Sequence, residues 1–140
     1  MRILGVDVGA RRIGLALSDE GGVIAMPWRT IEGGGAKEVA RQAGEAAAGT
    51  IVVGLPLKLD GSEGEAARKV RAFGAAMKKH VNASIVYWDE RLTTVQAHGA
   101  LREMGMDGRK RRKVVDQTAA TLLLQSYLDA QQPRGGKEDR

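Results

Sequence analysis

The sequence predicts an α/β fold of one domain built on a mixed sheet, and three observations carry that prediction. Within the first 32 residues, apolar strand-like runs alternate with glycine-containing turns; further on, apolar runs at 50–56 and 83–88 each follow a stretch of helical composition or spacing. A chain of 140 residues, 43% hydrophobic, is long enough for a real core and too short for two ordinary domains. We therefore expect one domain over 1–131 and a disordered tail over 132–140.

The elements follow in order. Residues 2–8, RILGVDV, and 12–19, RIGLALSD, read as strands joined by a tight turn at Gly9, Ala10 and Arg11, hence an antiparallel hairpin. Glu20, Gly21 and Gly22 turn the chain into VIAMPWRTIE, a third strand placed at an edge because Pro27 cannot donate a ladder hydrogen bond. Glycines 33–35 break the chain, the Ala- and Glu-rich stretch 36–48 favours helix, and TIVVGLP is a buried strand. After the loop LKLDGSEG, the spacing of Ala66, Val70, Phe73 and Met77 gives a helix an apolar stripe, with Arg68, Lys69, Arg71, Lys78 and Lys79 on its other faces. ASIVYW is the last strand. A helix over 94–104, a loop GMDGRKRRK and a final helix over 114–131 complete the order βββαβαβαα. Strands joined through helices are parallel, so the sheet is mixed.

Composition narrows the chemistry. There is no cysteine and there are two histidines, His80 and His98, so disulfides, thiolate sites and a histidine zinc centre are excluded and any metal site must be built from oxygen. The opening MRILGVDVG is too short an apolar stretch for a signal peptide, and no run approaches the roughly 18 apolar residues of a membrane span; residence in the cytoplasm, away from membranes, is the expectation. The net charge is +5, and Arg109, Lys110, Arg111, Arg112 and Lys113 supply five positive charges by themselves. The excess is local, which suits contact with a polyanion and equally suits a solvated loop.

Three acids stand out. Asp7 lies inside an apolar strand, where an ionised carboxylate is costly unless paired or bound to a cation; the bland alternative is a cap on the turn at Gly9. Asp89 and Glu90 sit at the carboxyl end of a strand, the edge where ligands collect on such sheets. Thr93 and Gln96 have the spacing of a capping box, so these acids could simply favour a helix N-terminus, which explains Thr93 better than Glu90. Asp116 falls in register with Ala119, Ala120, Leu123, Leu124, Tyr127 and Leu128, on the stripe that faces the core, unless it is instead the N-cap of a helix starting late. Asp7, Glu90 and Asp116 together could form an oxygen cage for Mg²⁺ or Mn²⁺, one or two ions, suited to phosphodiester hydrolysis. The basic run would hold the phosphate backbone nearby without reading base sequence. Arg12 and Arg91 are assigned as phosphate contacts or partners of the acids, with ion pairs to Asp89 or Asp19 as the alternative. Gly54, Leu55 and Pro56 read either as a close approach to substrate or, more simply, as a strand-to-loop turn.

At these residues the sequence resembles a known family. GVDVGARRIGLALSD, VVGLPLKLDGSEGEAARKVRAF, DERLTTVQA and KRRKVVDQTAATLLLQSYL look like the four motif blocks of YqgF-type nucleases, proposed Holliday junction resolvases of RNase H-like fold, and the match runs from Ile3 to Leu128. Four blocks in this order are far more specific than any one. The resemblance implies a five-stranded mixed sheet of order 3-2-1-4-5 with helices on both faces, and puts Asp7, Glu90 and Asp116 at the family's acidic positions. It also implies maturation of the 5′ end of pre-16S ribosomal RNA, with branched DNA as the other substrate and ribosomal particles as further partners. Lys58 stands where relatives often carry an uncharged polar residue, and Ala10 replaces a frequent threonine; neither touches an acid. Two rivals come from other classes: half of an actin-like ATPase or sugar kinase, which the length disfavours, and an RNA-binding module without catalysis. No dimer face is evident, and a monomer or weak homodimer is expected.

Overall fold

The computed structural model describes residues 1–33, 35–91 and 108–132, with side chains described throughout these except at 108–118. The strands are β1 (Arg2–Val8), β2 (Arg12–Ser18), β3 (Ala25–Glu32), β4 (Ala48–Leu55) and β5 (Ser84–Asp89). The helices are α1 (Gly35–Glu45), α2 (Glu65–Lys78) and α3 (Gly108–Gln131). The sheet runs β3-β2-β1-β4-β5. β1 and β2, like β2 and β3, are antiparallel, whereas β4 lies parallel to both β1 and β5. Its strand order is the one the resemblance implied.

Pro27 does lie on an edge strand, beside a bulge: Leu15 faces Arg29 and Ala16 faces Pro27, so Trp28 is the extra residue. The expected helix over 94–104, the Thr93/Gln96 box, His98 and the tail from residue 133 lie outside the described residues. Gln132, assigned to the tail, is instead tied down, its Nε2 donating to the carbonyls of Gly22 and Leu128 at 3.3 Å each.

Alternation along the strands builds two faces. Leu4, Val6, Leu15, Ile51 and Val53 pack beneath α1 and α2, against Val39, Ala40, Ala67, Val70 and Met77. The opposite face carries Ala16 and Val52 under Ala120, Leu124 and Leu128 of α3. Helices thus cover both faces.

Three expectations need correction. On α2 the buried stripe is Ala67, Val70, Gly74 and Met77; Ala66 is exposed and Phe73 half-buried. The helix is turned so that Gly74 meets Tyr87, whose hydroxyl occupies the space a Cβ would need. Helix α1 ends at Glu45 rather than at 48, because Ala47 enters the left-handed region at φ 54° and sends Ala48 into β4. The last helix starts at Gly108 rather than Val114. Arg and Lys are good helix formers and nothing after Gly108 breaks the run, so the basic residues belong to the helix's first turns instead of a loop.

Candidate active site

The carboxyl ends of β1, β4 and β5 lie side by side, and the site is built there from the backbone upward. Val6 pairs with Val53, so the next residues, Asp7 and Gly54, stand level; Gly54 in turn pairs with Trp88. Glu90 continues the ladder one step beyond β5, its N–H donating to the Leu55 carbonyl at 3.3 Å. Neighbouring strands are about 4.8 Å apart, so Glu90 reaches Asp7 only by crossing β4, a span of roughly 10 Å.

Gly54 makes that crossing feasible. A Cβ there would collide with Glu90 Oε2 and would lie 3.1 Å from Leu123 Cδ2. Glu90 therefore fills the place of a side chain on β4 and meets Asp7 by a hydrogen bond between their carboxyl groups. Neither of the readings offered for Gly54 describes this; its smallness accommodates an acid. The signal in the sequence is a glycine inside the apolar strand TIVVGL.

The electrostatics follow from that contact. Burial first, then the charge and hydrogen bond of Asp7, and lastly the charge of Asp89, push the Glu90 carboxyl up to about 8. Its neighbour goes the other way. Asp89 is held below the usual carboxylate range by Arg91, whose Nη2 lies 2.7 Å from Oδ2 and whose Nε donates to both oxygens at 3.1 and 3.0 Å. Arg91 also donates its backbone N–H to Asp89 Oδ1 at 3.0 Å and Nη1 to the carbonyls of Lys58 and Leu59 at 3.2 Å each. For Arg91 the ion-pair alternative is thus the one observed, and its guanidinium latches the β4–α2 loop.

The turn at Gly9 closes through its backbone, Gly9 N–H to Arg12 carbonyl at 2.8 Å, and a Cβ on Gly9 would fall 2.6 Å from that oxygen. Helix α3 crosses β1 at Gly5, where a built Cβ would lie 2.8 Å from Leu124 Cβ and 3.2 Å from the Ala120 carbonyl. Asp116 is one turn before Ala120 and eight residues into α3, which removes the N-cap alternative. The side chains of Asp116 and of Arg109, Lys110, Arg111, Arg112 and Lys113 lie outside the described residues, so the structure brings together two of the three acids, Asp7 and Glu90.

A half-buried pair of carboxyls fits a hard divalent cation. All donors are oxygen, and the proton that burial and Asp7 keep on Glu90 is what a cation in the same place would replace.

The profile of the RuvX family, described as Holliday junction resolvase, matches residues 1–130. The chain belongs to the RuvX family. A Clostridium beijerinckii relative is 40% identical over 133 residues, covering 92% of this chain and 96% of its own length. A Clostridium botulinum relative is 43% identical over 134 residues, covering 93% and 98%. Both bear the name "Putative pre-16S rRNA nuclease". Among solved structures, Thermus thermophilus RuvC in complex with a Holliday junction aligns with TM-score 0.55 at 18% identity, covering 93% of this chain and 95% of that one. The fowlpox virus Holliday junction resolvase aligns with TM-score 0.56 at 14% identity, covering 93% and 99%. At these identities the likeness concerns the fold, which this RuvX-family chain shares with both.

Proposed function

We propose that this chain is a divalent-cation-dependent endonuclease acting on the 5′ end of pre-16S ribosomal RNA. The observation that carries the chemistry is the Asp7–Glu90 contact across Gly54. Asp7 and Glu90, with Asp116 from α3, would hold one or two Mg²⁺ or Mn²⁺ ions. Such an ion supplies charge neutralisation at the phosphate and makes a nearby water more acidic.

The chain's own residues do the rest. Asp7 is fixed on the sheet and Glu90 is lodged over Gly54, so the two oxygen donors are prepositioned. Arg109 to Lys113, in the turns of α3 before Asp116, bind the phosphate backbone, and Arg12 adds a contact at the other side of β1.

RNA is preferred over branched DNA because relatives at 40–43% identity carry the rRNA name, whereas the junction-bound structure stands at 18%. Wild type and the variants Asp7→Asn and Asp116→Asn, assayed with Mn²⁺ or Mg²⁺ on a single-stranded RNA spanning a pre-16S 5′ end and on a four-way DNA junction, test this. We expect metal-dependent RNA cleavage that both variants lose while still binding RNA. Junction cleavage alone would replace the substrate, and unaltered cleavage by either variant would sink the carboxylate site.

A further inference from the structure

The β4–α2 loop, residues 56–64, leaves β4 next to Glu90, whose N–H bonds the Leu55 carbonyl, and is held by a network of its own hydrogen bonds. Lys58 N–H donates to the Ser62 carbonyl at 2.9 Å and Gly61 N–H to the Lys58 carbonyl at 2.8 Å. Asp60 Oδ1 accepts from Ser62 N–H at 2.9 Å and from its hydroxyl at 2.6 Å. Gly61 turns the chain at φ 88°, and Glu63 pairs with Arg71 at 2.6 Å at the loop's far end. Arg91, the residue after Glu90, ties the Lys58 and Leu59 carbonyls to β5. At the tip of this frame Leu59 is 98% exposed.

That combination is what invites a function. A single exposed leucine is ordinary on a surface. Here, however, the backbone beneath it is fixed by a charged residue adjoining Glu90, while the side chain contributes nothing to the core. Among the described residues, the other strongly exposed large hydrophobics, Met1, Val23, Ile24 and Met26, belong to the N-terminus, the β2–β3 turn and the edge strand.

Resting on the nuclease reading, we infer that Leu59 is a base-contacting finger: it packs against an unpaired nucleobase of the bound strand and sets which nucleotide lies over the acids. Apolar side chains placed against bases work in this way on nucleic acids generally, and the contact is insensitive to sequence because every base offers a face. Arg91 is the positioning residue that holds the finger.

The test uses the full chain carrying Asp7→Asn, which should bind without cutting, and a fluorescein-labelled 12-nucleotide single-stranded RNA followed by anisotropy between about 50 and 200 mM salt. Adding Leu59→Ser should weaken binding about 5- to 10-fold with an unchanged salt slope, since no ionic contact is lost. Leu59→Phe should keep or strengthen it. In a series of 12-mers each bearing one abasic nucleotide, one position should lose the Leu59→Ser effect, because finger and base are two halves of one contact. Equal affinity of Leu59→Ser and its parent, or a loss shared equally by Leu59→Phe, would overturn the finger and leave the nuclease reading standing. A parent that binds no RNA would overturn both.

Discussion

Asp89 and Glu90 are consecutive carboxylates at the end of one strand, yet their surroundings drive them apart. Asp89 is exposed, gripped by Arg91 and held below the ordinary carboxylate range; Glu90 is turned inward over Gly54 and pushed up to about 8 by burial and by Asp7. Strand alternation is the cause, because successive side chains leave a strand on opposite sides. The difference teaches that charge alone does not single out the acid we propose as a cation ligand. What marks it is the backbone that makes room for a carboxylate next to another.

The largest effect on that contrast should come from Gly54→Val. Added methyls would occupy the place of Glu90 Oε2 and press on Leu123, so the acid pair must separate or the helix must shift. We expect a loss of roughly 1–3 kcal/mol in stability, as for overpacked cores, together with loss of nuclease activity. Urea unfolding and the RNA cleavage assay measure both. A variant as stable and active as wild type would show that Glu90 does not need the space.

Much of this was legible in the sequence, and the failures have physical reasons. The opening hairpin came from apolar strand-like runs and a glycine turn, the strand order from the family resemblance, and Asp7 and Glu90 stood out as charges beside apolar strands. Gly54 did not, because a glycine ahead of proline reads as a turn and its partner Glu90 is 36 residues away. The stripe of α2 was misjudged because spacing fixes a helical face only to within a neighbouring position, and Tyr87 decides which one. The start of α3 was missed because five adjacent cations suggest a solvated loop, while their helix propensity is high.

A smaller effect, of opposite character in the two acids, should appear in pH dependence. Glu90 binds its proton more tightly folded than unfolded, so its contribution to stability is complete below pH about 4.5 and is lost as pH rises to about 8. Taken whole, the shift would correspond to several kcal/mol; solvent screening and relaxation of the partly accessible pair reduce this to about 2 kcal/mol. Urea unfolding in EDTA should therefore show stability falling between pH 5 and 8, and Glu90→Gln should flatten that fall. Mg²⁺ at pH 8 should restore stability to wild type and not to Glu90→Gln. A wild-type protein with no loss over this range would mean that neither burial nor Asp7 holds a proton on Glu90.

Asp89→Asn should have the least effect, and its smallness is the point. Its carboxylate is stabilised by Arg91, so this contribution is present above the unfolded value and would fade only as pH drops below it, the reverse of Glu90. The pair is largely exposed, and such pairs are worth about 0.2–1 kcal/mol. The amide oxygen can still accept from Arg91, and Nη1 keeps its bonds to Lys58 and Leu59, so the loop stays latched. We expect unfolding within about 1 kcal/mol of wild type and cleavage within a few-fold, measured beside Glu90→Gln, which should be inactive. If Asp89→Asn proved the inactive one, the exposed acid would be the ligand, and the inward turn of Glu90 would serve only to seat α3 on the sheet.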